Sequence, residues 1–174
     1  MGYIKYKDKK YKTVTIRLTK STEFSSLLKE FHQIYFTGLD KKMEHIRYAV
    51  LELVNNSIRA HQERDEQAPI TLQFILSDQD LLIIMKDRGG GFDVGRLPYD
   101  ISEPVDHIDL NNPDFQAYRE RHGYHRFGMG LLVAKRTFDD FVLKFHARGK
   151  EELSWTEGRT EGTILEMRST ISHE

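Results

Sequence analysis

Apolar residues recur along this chain in two rhythms, and the switches between them outline its elements. Thr13-Val14-Thr15-Ile16-Arg17-Leu18 alternates in β-branched style and predicts a first strand. Phe24, Leu27, Leu28, Phe31 and Ile34 then fall at helical spacing behind Ser21 or Thr22, either of which suits a cap, and Gly38 ends that helix. Asp40 opens a longer helix with Met43, Ile46, Val50, Leu53, Val54 and Ser57 down one face, and Pro69 closes the connection after it. Ile70, Leu72, Phe74 and Leu76 alternate with polar residues, turn through Ser77-Asp78-Gln79-Asp80 and return through Leu81 to Met85. That is a hairpin.

From Asp93 to Phe127 the rhythm lapses among Pro98, Pro104, Pro113 and many polar residues. Loops this long inside compact domains are usually functional or disordered. A short helix over 114–121 is compatible with Asn112 as cap and Pro113 in the first turn. A third helix is expected over 130–141, then closing strands at 141–146, 153–156 and 163–168. Helices and strands mix without strict alternation. This predicts an α+β, two-layer α/β sandwich, with one mixed or antiparallel sheet and helices on one face.

A chain of 174 residues is long enough for a single domain with its own core. It has no cysteine, so neither a disulfide framework nor a thiolate metal site enters. Its longest apolar run, Leu81 to Met85, is far too short for a bilayer, and the N-terminus lacks the apolar core of a secretion signal. A cytoplasmic protein is the expectation. A net charge of −1 gives no reason to expect nucleic acid or membrane as partner. Locally, Lys5, Lys7, Lys9, Lys10, Lys12, Arg17 and Lys20 face one acid, Asp8, within the first stretch of chain. A solvated, frayed terminus is expected there, with an electrostatic docking arm as the alternative.

Three places carry chemistry. Glu52, Asn56 and Arg59 are spaced by four and three, so they share a helix face, which on spacing alone is a solvated one. Phosphoryl transfer needs a divalent ion held by oxygen and a base that orients the nucleophile. A carboxylate and an amide oxygen one turn apart can supply both. Asp87 ends an apolar strand before Gly89, Gly90 and Gly91, and a carboxylate there can accept from the exocyclic amine of adenine while the glycines let backbone and base approach. Gly128-Met129-Gly130 opens a helix whose N–H groups suit an anion. No Walker-type loop and no dinucleotide fingerprint is present. His122 and His125 offer too few ligands for a metal, Arg121 and Arg126 are either arginines that reach the terminal phosphates when the loop closes or solvated loop residues, and Trp155 reads as packing.

Taken in order, Leu51-Glu52-Leu53-Val54-Asn55-Asn56, Asp87-Arg88-Gly89-Gly90-Gly91-Phe92-Asp93, Gly128-Met129-Gly130-Leu131 and Gly162-Thr163 resemble the N, G1 and G2 boxes and following threonine of the GHKL ATPases. That superfamily includes type II topoisomerases, heat-shock chaperones, histidine kinases and mismatch-repair proteins, and it binds ATP in the Bergerat fold. The likeness spans residues 12 to 168. It implies ATP and Mg²⁺ as cofactors, Glu52 as proton acceptor and Asn56 as Mg²⁺ ligand, with Arg59 near the phosphates. Asp87, Gly89, Gly91, Phe92 and Thr163 would then meet the base, and Arg126, Gly128, Met129, Gly130 and Leu131 the phosphates. The implied layout is a basic segment 1–11 and one histidine-kinase-like domain over 12–174, with a lid over about 94–127.

Gly91-Phe92-Asp93 followed by Leu97-Pro98, and Gly130-Leu131 leading to Asp139-Asp140-Phe141, are similar to the anti-sigma-factor serine kinases. Such proteins hold a sigma factor or other target and phosphorylate a serine on a small antagonist protein. A protein partner is therefore expected and a homodimer is allowed. The chain departs from that branch in a longer segment between G1 and G2, in Ser57 where alanine is commoner, and in Ala60 at the usual histidine position, with His61 one residue late. Two other readings stay open: a histidine-kinase-type catalytic domain acting in trans, and a nucleotide-gated binding module without turnover. For the first, only His173 precedes an acid, at the very end of the sequence.

Overall fold

The structure is a computed structural model, and it describes residues 1–107 and 128–172 together with Pro113 and Ala117. Its strands are β1 (Ile4–Tyr6), β2 (Lys9–Tyr11), β3 (Thr13–Leu18), β4 (Ile34–Phe36), β5 (Ile70–Leu76), β6 (Asp80–Lys86), β7 (Asp140–Ala147), β8 (Lys150–Glu152) and β9 (Gly162–Thr170). The helices are α1 (Phe24–His32), α2 (Met43–Arg64) and α3 (Gly128–Thr137). Short 3₁₀ turns cover Asp40–Lys42, Val94–Arg96 and Val105–His107.

Six strands make one sheet in the order β3-β5-β6-β9-β7-β8, and every neighbouring pair is antiparallel. The alternation seen in sequence selects its faces. Leu72, Phe74, Leu81, Ile83, Met85, Leu165 and Met167 are buried on the helix side, against Ile46, Val50, Leu53 and Val54 of α2 and Leu131 and Ala134 of α3. Each such side chain contributes roughly 1.5–3 kcal/mol of burial. The expected α+β sandwich with helices on one face is the observed one, its sheet antiparallel rather than mixed. No helix among the described residues is long and apolar enough to cross a membrane.

Several expectations are corrected. The basic N-terminus is ordered: β1 and β2 form a hairpin turned by Lys7 and Asp8, both at positive φ, and β1 also pairs with β4. Ile4 is completely buried opposite Phe36, which ties the segment down. Ile34 belongs to β4 instead of α1, because Ile34 and Phe36 both face the core while Tyr35 does not. α1 starts after Glu23 with no side-chain cap, and Phe24 is 52 % exposed instead of packed.

At the other end, the third helix spans 128–137 and β7 begins at Asp140. The strand expected at 153–156 is displaced to β8, because Arg148 and Gly149, both at positive φ, return the chain at once from Ala147 to Lys150. Leu153 is exposed and the chain leaves the sheet there. Of the helix expected over 114–121 only Ala117 is described, and it is helical; the rest of that span and His122, His125, Arg126 and Phe127 lie outside the described residues.

Candidate functional site

Asp87 sits one residue beyond β6, and its carboxylate faces the helix layer. It is 4 % exposed. Ser57 Oγ donates to Oδ2 at 2.5 Å and Thr163 Oγ1 at 2.9 Å, while the amides of Thr163 and Gly89 donate to Oδ1 at 3.1 and 3.0 Å. The middle of α2, the glycine loop and the start of β9 therefore converge on one buried carboxylate. Burial without partners would penalise that charge heavily; four donors offset the penalty. The Asp87 amide in turn donates to the Thr163 carbonyl at 3.0 Å.

The glycine loop is locked from several sides. A Cβ on Gly89 would lie 2.6 Å from Ala60 Cβ, and Gly91, at φ +67°, would drive one into Trp155, Phe145 and Thr160. Gly90 also takes positive φ, and its N–H donates to the Glu161 carbonyl at 2.9 Å. Trp155 Nε1 donates to the Gly90 carbonyl at 3.0 Å. Phe92 is half-buried with its ring edge-on to Phe145 at 6.0 Å. These glycines are needed for close approach as well as for their dihedrals.

The second half of the site lies where α3 meets α2. A Cβ on Gly130 would stand 2.8 Å from Asn56 Nδ2 and 3.7 Å from Glu52 Cβ, so the first turn of α3 rests directly on those two side chains. Glu52, Asn56 and Arg59 are half-buried, not fully solvated. Gly128 and Met129 open α3. Leu131 is in the core at 1 % exposure, so it seats the helix on the sheet. An acid, an amide and a helix start thus share one corner, which suits a polyanion and a cation held by oxygen. Among the described residues no group of three or more histidines and acids is arranged to hold a metal, so a cation here would need ligand oxygens besides the protein's.

Sequence reasoning anticipated the Asp87–Thr163 pairing and the meeting of the helix and glycine elements. It missed Trp155, taken for packing, and His146, whose Nε2 lies 2.5 Å from the Asp87 carbonyl. His61, noted only for its offset, is fully buried and accepts from the Arg88 amide at 2.9 Å. Desolvation lowers its pKa from the ordinary value. It lies on the buried Val50–Val54–Ser57 side of α2, where helical spacing alone reads as core.

Comparison with known proteins adds two findings. The family model described as histidine kinase-like ATPase domain matches residues 14–168. The chain is also similar to proteins named serine-protein kinase RsbW. That of Bacillus cereus (strain ATCC 10987 / NRS 248) is 27 % identical over 106 residues, 58 % of this chain and 56 % of that protein. That of Bacillus cereus (strain AH187) is 32 % identical over the same shares. The chain thus matches little more than half the length of these relatives.

Proposed function

Since the chain belongs to the histidine kinase-like ATPase domain family, we propose that it binds ATP with Mg²⁺ and transfers the γ-phosphoryl group to a serine or threonine of a small partner protein. The observation that carries this reading is the pairing of a buried acceptor, Asp87, with a corner formed by Glu52, Asn56 and the start of α3. One end suits a base and the other a triphosphate. The likeness to proteins named serine-protein kinase supports serine as the acceptor.

Asp87 recognises adenine through its exocyclic amine. Its four acceptor positions are already taken, two of them by hydroxyls. Either hydroxyl can turn its hydrogen away, freeing a carboxylate lone pair for the amine. Thr163 or Ser57 then remains as a further acceptor. Gly89 and Gly91 let Ala60, Trp155, Phe145 and Thr160 close on the loop that carries Asp87.

At the phosphate end, the first N–H groups of α3 bind and orient phosphate oxygens. Asn56 would hold Mg²⁺ through its amide oxygen, and the ion would supply neutralisation of the phosphate charge. Glu52 accepts the hydroxyl proton of the incoming serine as its oxygen bonds to phosphorus and the bond to the ADP oxygen breaks. Arg59 stands two residues beyond Ser57 on the same helix and supplies positive charge near the phosphates.

Incubation with γ-labelled ATP, Mg²⁺ and candidate small partner proteins tests this. Label on serine or threonine supports it. Label on histidine would favour the trans-acting histidine-kinase reading, and nucleotide binding with no label a binding module.

A further inference from the structure

The Asp87 carbonyl and the Arg88 amide are the two polar ends of a single peptide group, and each end is held by a buried histidine. His146 Nε2 lies 2.5 Å from the carbonyl oxygen and, facing an acceptor, carries the proton. On the opposite side the Arg88 N–H donates to His61 Nε2 at 2.9 Å, so that nitrogen is bare. A trans peptide points these groups in opposite directions. Two rings therefore grip one plane from both sides. His61 is fully buried and His146 is 4 % exposed.

The gripped plane sets ψ of Asp87, while the bond from its own amide to the Thr163 carbonyl fixes the preceding plane. Together they aim the carboxylate. The surroundings are shaped to allow it. Gly162 lies opposite His146 in the β7–β9 register, and a Cβ there would stand 2.7 Å from His146 Nε2 and overlap the Asp87 carbonyl.

The two histidines differ in one chemical respect. A second proton on His146 leaves its Nε2–H in place, whereas a second proton on His61 converts the acceptor into a donor facing a donor. Resting on the nucleotide reading above, we propose that His61 is a positioning residue that holds the adenine-binding carboxylate in line only while its ring is neutral, which makes nucleotide affinity fall on acidification. Asp87 and Glu66 face the ring and favour the proton; Arg64 opposes it, and Arg88 lies near Glu66. Burial is the largest influence and also opposes the proton, so the pKa is lowered and the ring is neutral at neutral pH. His61 Nδ1 is buried with no hydrogen-bond partner among the described residues.

His61→Gln separates this from a merely structural role, because a glutamine oxygen can accept the Arg88 N–H and does not titrate. Calorimetry with ADP–Mg²⁺ between about pH 8 and about pH 5 would compare the two proteins, each facing the same ligand titration. The wild type is expected to lose several-fold more affinity than His61→Gln across that range, most steeply at its acid end because burial lowers the folded pKa. Parallel pH profiles would overturn the proposal. Should His61→Gln not fold, wild-type ¹⁵N spectra and exchange of the Arg88 amide decide. A bare Nε2 at neutral pH and an Arg88 amide that loses protection as His61 titrates are expected, and an amide protected throughout would overturn the clamp. Failure to bind nucleotide at every pH would instead sink the nucleotide reading, and the Arg88 amide would still report on the clamp.

Discussion

Ser57 Oγ stands 2.5 Å from Asp87 Oδ2, joining the middle of the long helix to the end of a central strand. Serine therefore occupies one of the four acceptor positions of the carboxylate, beside the Thr163 hydroxyl and two amides. Ser57→Ala removes that donor and leaves the other three. Without nucleotide the variant should be less stable by about 1.5–3 kcal/mol, the range for a bond to a charged group. Nucleotide affinity should hold or rise, because the adenine amine no longer displaces a hydroxyl. Thermal melts with and without ADP–Mg²⁺ check both; a tenfold loss of affinity would make Ser57 a ligand in its own right.

Asp87→Asn probes the same acceptor from the other side. The amides of Gly89 and Thr163 cannot turn, so the new carboxamide keeps its oxygen toward them and presents its NH₂ to the two hydroxyls, which can. The fold is expected to survive. The adenine amine, however, meets a donor where it needs an acceptor, and affinity should drop by about 1.5–3 kcal/mol. Calorimetry that returns wild-type affinity would remove Asp87 from the nucleotide site.

Chemistry and binding should separate along α2. Glu52→Gln keeps shape and loses the base, so affinity should persist while phosphoryl transfer falls on the order of 10²-fold or more. Asn56→Ala should reduce Mg²⁺-dependent binding. Gly130→Ala should mimic it, since its Cβ would arrive 2.8 Å from Asn56 Nδ2 and force that side chain aside. Transfer at the wild-type rate by Glu52→Gln would end the base assignment.

The ordered N-terminus predicts a cost far from that site. Ile4 is completely buried in a three-stranded sheet that Phe36 completes. Ile4→Ala should destabilise the protein by about 2–5 kcal/mol, as for other large-to-small core changes. Denaturant melts measure it, and a change under about 0.5 kcal/mol would fit a surface position instead.

Why that sheet escaped the sequence while the site did not has a physical cause. The α2 stripe and the 70–86 hairpin are long, periodic and locally determined, so Ile46, Leu53, Leu72 and Ile83 announced themselves. Asp87, Gly89 and Thr163 were legible because the chemistry of adenine restricts which residue types can stand there. Ile4 is one apolar residue among lysines, and its burial depends on β4, which is remote in sequence. Ile34 continues the Leu27–Phe31 spacing, so local rhythm favours helix and only pairing with β1 overrules it. His146 and Trp155 reach the glycine loop through the β7–β9 register and the departure of the chain after β8, neither of which leaves a local signature.

The last test concerns pH and the far end of the same sheet. Asp80 Oδ2 accepts from Arg168 Nη1 at 2.5 Å, pinning the start of β6 to β9 across a register in which Leu82 faces Arg168. The Arg168 hydrogen bond, aided by Ser77, holds the Asp80 carboxyl below its ordinary value of 3.8. A carboxyl lowered in the folded state binds its proton more readily when unfolded. Its contribution to stability is therefore full above the unfolded value of 3.8 and is lost as pH falls through the folded one. Arg168→Gln removes the partner charge, raises the folded pKa of Asp80 towards the unfolded value and should shift acid unfolding to higher pH. Circular dichroism along an acid titration reads the shift. Superimposable curves for the two proteins would mean that solvent screens the pair completely, as it does many ion pairs with one exposed partner.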